Sequence, residues 1–178
     1  GRPLVYFDNG ATTHTPEPVV KAMDEVYTDY NSNIHRGVHT LSNICTEAFE
    51  AAREKVRAFI NAGSLQEVIF TRGTTESINL VAYAFGDAFI NEGDEVILSG
   101  LEHHSNIVPW QLLQSRKGIV LKVIPVMDDG ALDMDAFYSL LSERTRLVAV
   151  AHISNVLGTI NHIQEIITAA HERDIPVL

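Results

Sequence analysis

From Thr46 onward the apolar residues fall into two alternating rhythms. Ala48, Phe49, Ala52, Val56, Phe59 and Ile60 recur at helical spacing, and Asn61-Ala62-Gly63-Ser64 closes that run. A short apolar stretch, Glu67 to Phe70, then predicts a strand. The pattern continues as a helix over 77–90, stopped by Gly93-Asp94, and a strand over 95–98. A helix over 108–116 follows, with Pro109 near its start, where a missing N–H is tolerated. Residues 119–126 predict a strand closed by the turn Asp128-Asp129-Gly130, and 133–141 a helix. Residues 146–153 read as a strand, 163–173 as a helix and 175–178 as a further strand. Before Thr46 the chain is richer in Thr, Asn, His and Pro. It offers one helix, about 16–30, on the stripe Val19, Ala22, Met23, Val26 and Tyr30.

Strands alternating with helices predict an α/β fold with a mainly parallel sheet covered by helices on both faces. The nearly unbroken apolar strand runs agree, because parallel strands are buried on both sides. The expected division is an N-terminal arm with the first helix, residues 1–45, and a larger α/β part, residues 46–178. The last strand opens at Ile175 and the sequence stops at Leu178. That pattern reads as a fragment cut within a core strand.

Composition narrows the classes. Hydrophobic residues make up 46% and charged residues 20% of 178 residues, an ordinary globular balance. The net charge of -10 and the lack of a basic stripe argue against nucleic acid as a partner. No apolar run approaches the roughly 18 residues of a membrane-spanning helix. Cys45 is the one cysteine, so an intrachain disulfide is impossible. The expected location is the cytoplasm.

In parallel sheets ligands bind beyond the carboxyl ends of the strands, so the residues there carry the candidate chemistry. Thr71-Arg72-Gly73-Thr74-Thr75-Glu76 leads into a helix. Thr74 and Thr75 can cradle a phosphate with the free amides and the dipole, or cap the helix. Glu102-His103-His104-Ser105-Asn106 follows the next strand. His103 can stack on an aromatic ligand or serve as a polar loop residue; neither zinc spacing nor a nearby cysteine supports a metal. Asn155, in Ser154-Asn155-Val156-Leu157-Gly158, can donate to a ligand or cap a turn. Arg36 can take a carboxylate in bidentate fashion or stand as a surface charge. Cys45 reads as a structural thiol.

Taken together, these segments resemble the class V aminotransferase superfamily, specifically the SufS-like cysteine desulfurases. The matching stretches are Tyr6 to Thr13, His35 to Ser42, Thr71 to Ala82, Glu102 to Gln111 and His152 to Gly158, in family order. The resemblance implies the type I fold of pyridoxal 5'-phosphate (PLP) enzymes and a homodimer. It implies that Thr74 and Thr75 hold the PLP phosphate and that His103 stacks on the ring and assists proton transfer. Asn155 would bond the cofactor's phenolic oxygen near the substrate carboxylate, with His35 and Arg36 near the mouth of the site. The implied reaction converts L-cysteine to L-alanine and leaves a persulfide, from which a sulfur-acceptor protein of iron-sulfur assembly takes the sulfur. The family's Asp-x-x-Gln, its Ser-x-His-Lys and its nucleophilic cysteine have no match here. The lysines are Lys21, Lys55, Lys117 and Lys122, and none follows Ser-x-His. The 178 residues alone are therefore expected to be inactive, with PLP absent or weakly held. Alternatives are a selenocysteine lyase or another class V enzyme, and a truncated, non-catalytic binding module.

Overall fold

The computed structural model describes residues 1–178. The chain forms two compact units, Gly1–Phe70 and Thr71–Leu178. Residue 45, the division expected from the sequence, falls inside a continuous helix, Thr40–Phe59.

In the first unit, helix α1 (Glu17–Glu25) passes into a π-helical turn, Val26–Tyr30. Helix α2 (Thr40–Phe59) begins earlier than its apolar stripe suggests. Its first turn is held by side chains instead. The His39 imidazole accepts from the Ser42 amide, and buried Ser42 donates from Oγ to the Asn33 carbonyl at 2.7 Å. The Cys45 thiol is buried and donates to the Tyr30 carbonyl, in line with a structural role. The strand expected over 67–70 is absent. Leu65–Glu67 forms a 3-10 turn, and Arg53 donates to the carbonyls of Leu65 and Val68 at 2.7 and 3.2 Å. A guanidinium thus holds the 3-10 turn and takes up the Val68 carbonyl, within the expected strand.

The second unit carries the sheet. Strands β1 (Glu95–Ser99), β2 (Val120–Ile124) and β3 (Thr145–Ala149) pair in parallel in the order β2-β1-β3. Val177 adds a parallel bridge to Val148 on the far side of β3. Helices α3 (Thr74–Phe89) and α4 (Val108–Lys117) cover one face, burying Ile78, Ala82, Trp110 and Leu113 against Val96, Leu98, Leu147 and Ala149. Helices α5 (Met134–Leu140) and α6 (Ile163–His171) cover the other, placing Phe137 and Ile166 on Ile97, Ile124 and Val148. The parallel, doubly covered sheet is the one its apolar runs predict. Gly86 lets α3 approach α4: a Cβ there would meet Leu113 Cδ2 at 2.7 Å.

The amino end of the sheet is pinned electrostatically. Glu95 pairs with Lys122 at 2.8 Å and accepts from Ser142 Oγ at 2.6 Å and Thr145 Oγ1 at 3.2 Å. Burial pushes its carboxyl up, but the bonds from Lys122, Ser142 and Thr145 and the Lys122 charge together hold it below the ordinary value. A lowered carboxyl contributes stability above its unfolded pKa and loses it as pH falls through the folded one. Glu95→Gln should therefore destabilise the fold by about 1–3 kcal/mol at pH 7. The gap from wild type should narrow below about pH 4. Urea unfolding at a series of pH values checks this, and a gap constant with pH counts against it.

Candidate functional site

Helix α3 precedes β1 and runs back along the parallel sheet, so its first turn lies toward the carboxyl ends of the strands. It starts at Thr74, so Thr74 and Thr75 occupy its first two positions. Gly73 precedes them at φ 156°, ψ 178°, a conformation essentially restricted to glycine. No atom lies within 4 Å of where a Cβ on Gly73 would sit, so its constraint is backbone torsion rather than space. Gly73 makes no side-chain cap, and the first backbone bond of the helix runs from the Ser77 amide to the Gly73 carbonyl. The amides of Thr74, Thr75 and Glu76 are left without a protein acceptor, as are the exposed Thr74 and Thr75 hydroxyls. Two further hydroxyls shape this turn: Thr71 Oγ1 and Ser77 Oγ lie 2.7 Å apart. The Glu76 carboxylate folds back onto the Arg72 amide at 2.5 Å.

His103 follows β1 and caps a short 3-10 turn, His104–Asn106. Its Nδ1 accepts from the Ser105 amide at 3.1 Å and lies 2.9 Å from Ser105 Oγ. An amide N–H can only donate, so in the neutral ring the proton sits on Nε2. The ring is exposed and stands perpendicular to that of His104. Helix α3 packs against this turn.

Asn155 follows β3 in a tight turn closed by the Ile153–Ile160 bridge. Sequence spacing leaves open whether Asn155 caps that turn; Ser154 does so instead. Buried Ser154 accepts at Oγ from the amides of Val156 and Leu157 at 3.3 and 3.2 Å. The Asn155 side chain is exposed and makes no bond within the chain. Ser154 is the residue sequence reasoning passed over. Its hydroxyl one position before an Asn was the available signal.

In the first unit, His35 is engaged locally. Its Nε2 lies 3.2 Å from Glu50 Oε1, and its ring stands edge-on to Phe49. Its backbone adopts φ 62°. Arg36 is exposed and forms no ion pair. The fold thus brings Thr74, Thr75, His103 and Asn155 into one unit, while His35 and Arg36 belong to the other.

The model of the "Aminotransferase class-V" family matches residues 5–178. The chain belongs to the class V aminotransferase family. Its sheet and helices are the corresponding part of the type I PLP-enzyme fold. This class V chain is 50% identical over 171 residues to a probable cysteine desulfurase of Halalkalibacterium halodurans, covering 96% of this chain and 42% of that protein. It is 51% identical over 178 residues to a cysteine desulfurase of Synechococcus elongatus, covering all of this chain and 28% of that one. The apo cysteine desulfurase of Thermococcus onnurineus superposes with a TM-score of 0.91 at 42% identity, over 97% of this chain and 42% of that one. The class V chain therefore spans less than half the length of these relatives.

Removing the Ser154 hydroxyl leaves two amides of the Asn155 turn without their acceptor. Ser154→Ala should destabilise the protein by about 0.5–1.5 kcal/mol. It should also raise amide hydrogen exchange at Val156 and Leu157, while exchange in β1 stays at wild-type rates. Unchanged exchange at both amides would reject this account of the turn.

Proposed function

We propose that this chain is part of a PLP-dependent cysteine desulfurase, which takes sulfur from L-cysteine, leaves L-alanine and passes the sulfur on through an enzyme persulfide. The observation that carries the reading is the unpartnered donor set at the start of α3. It occurs in a chain half identical to proteins named cysteine desulfurase. Free amides, two hydroxyls and the positive end of a helix fit a phosphate dianion. A further relative of known structure, 27% identical with a TM-score of 0.88, is described as SspA in complex with cysteine.

The roles follow from the groups available. Thr74 and Thr75 would bind the phosphate through their hydroxyls and amides. His103 would lie against the pyridine ring, held by the Ser105 amide at Nδ1, and would exchange a proton at Nε2. Asn155, released from turn capping by Ser154, would donate from Nδ2 to the phenolic oxygen. Arg36, a guanidinium without an ion pair, is the proposed partner of the substrate carboxylate, with His35 beside it in sequence. PLP, when bound, supplies an electron sink for the substrate carbanion.

Covalent attachment and sulfur transfer fall to residues beyond these 178. Lys117 is bonded to the Gly86 and Asp87 carbonyls, Lys122 to Glu95 and Lys21 to Glu17; Lys55 stands exposed on α2, in the other unit from Thr74 and His103, and Cys45 is buried. Isolated, the segment is proposed to be inactive. Helix α1 buries no residue and α2 only Ser42 and Cys45, while Val19, Met23, Leu41, Ile44, Phe59 and Ile60 stay exposed. Apolar area of that extent supports a homodimer. A sulfur-acceptor protein completes the proposed partners.

Two measurements test the reading. In the full-length protein, combined Thr74→Val and Thr75→Val should weaken PLP binding at least about tenfold, the loss of two hydrogen bonds of ~1 kcal/mol each. His103→Ala should lower turnover of L-cysteine by about 10²–10⁴-fold with little change in unfolding midpoint. Wild-type PLP affinity in the first variant, or wild-type turnover in the second, would remove those residues from the site. Faster turnover of selenocysteine than of cysteine would favour the lyase. Sulfide or alanine released from L-cysteine by the isolated 178 residues would contradict their proposed inactivity.

A further inference from the structure

The side chain of Glu102 accepts from three separate segments. Its Oε1 takes the Ser99 hydroxyl at the end of β1 and the Ala151 amide after β3, the latter at 2.8 Å. Its Oε2 takes Asn106 Nδ2 at 2.8 Å, at the far end of the turn that carries His103. Asn106 in turn accepts at Oδ1 from the Trp110 indole at 2.9 Å. Ser99, Asn106 and Trp110 are buried, at 3%, 7% and 0% exposure. Glu102 takes no part in the contacts proposed for the phosphate, the ring or the carboxylate.

The polarity of this chain of bonds is fixed from its buried end. An indole N–H only donates, so Asn106 must turn its oxygen to Trp110 and its NH2 to Glu102. The Ala151 amide also only donates. Both oxygens of residue 102 must therefore accept, which an ionised carboxylate does and a carboxamide cannot. A glutamine in either orientation would set an NH2 against Asn106 Nδ2 or against the Ala151 N–H.

We propose that Glu102 is a positioning residue whose ionised carboxylate clamps the His103 turn and ties it to the loop that carries Asn155. Its bond to Asn106 closes residues 102–106 into a ring, inside which the Ser105 amide holds His103 Nδ1. Its bond to Ala151 anchors the start of the segment leading to Ser154 and Asn155. The consequence for turnover rests on the function proposed above; the clamp itself does not.

The test uses the full-length protein with 15N-labelled histidine rings, His103 being assigned by the signals lost in His103→Gln. Wild type should show an unprotonated Nδ1 and a protonated Nε2 at neutral pH. In Glu102→Gln the two His103 signals should move toward each other, as a released ring samples both tautomers. The kcat for L-cysteine should fall at least about tenfold, with KM changed less than about twofold. Adding Trp110→Phe removes the donor that fixes Asn106, so its amide can turn and accept from the glutamine. The double variant should recover the wild-type His103 signals and most of kcat. Unmoved His103 signals in Glu102→Gln, or a double variant no closer to wild type than the single, would overturn the proposal. Should Glu102→Gln fail to fold, Trp110→Phe and the double variant are compared directly: matching His103 signals support the clamp and differing ones overturn it. A wild-type protein with no activity on cysteine would refute the functional reading, while the histidine signals still decide the clamp.

Discussion

Strand β1 pairs in parallel on both sides, and that constraint organises the whole second unit. Its residues Val96, Ile97 and Leu98 are buried at 0%, 0% and 3% exposure, so neither face of this central strand meets water. Parallel neighbours cannot be joined by tight turns, and the crossovers here are helical. Each helix that runs back along the sheet then starts near the carboxyl ends of the strands. The free amides of α3 and the loops after β1 and β3 converge there by topology. That edge is where the unit offers unpartnered backbone donors beside exposed hydroxyls.

Much of this was legible because burial writes itself into sequence. The apolar runs of β1 and β3 give the parallel sheet, and Gly73-Thr74-Thr75 marks a helix start. The features that escaped notice depend on contacts between segments. Glu67 to Phe70 has a strand's composition, but strand formation needs a partner strand, and none pairs with it here; the Val68 carbonyl is bound by Arg53 instead. The first turn of α2 has weak helix formers at Thr40, Ser42 and Asn43, yet Ser42 is fixed by bonds to the loop before it. No periodicity reports such a bond.

Glu102 is the sharper case. In sequence it is the acid before two histidines, and attention goes to the imidazoles. Its importance arises from Ser99, Ala151 and Trp110, the second of them 49 residues away. A cluster whose donors and acceptors are set by an indole at one end has only one consistent arrangement. Such fully satisfied polar clusters hold loops more rigidly than apolar contact alone, since a slip of one member leaves another unpaired at about 1–3 kcal/mol.

The same accounting separates the groups that hold the loops from those left open. Ser154, Ser99, Asn106 and Glu102 all spend their side chains on bonds within the chain. Thr74, Thr75 and Asn155 sit beside them in exposed positions and spend no side-chain bond on the fold. In a turn built only for stability, Asn155 would be the natural cap and Thr74 or Thr75 would close the helix start. Here Ser154 caps the turn in place of Asn155, and the first amides of α3 are left without a cap. That division of labour, rather than the presence of the residue types, is the strongest structural reason to read those three side chains as ligand-binding.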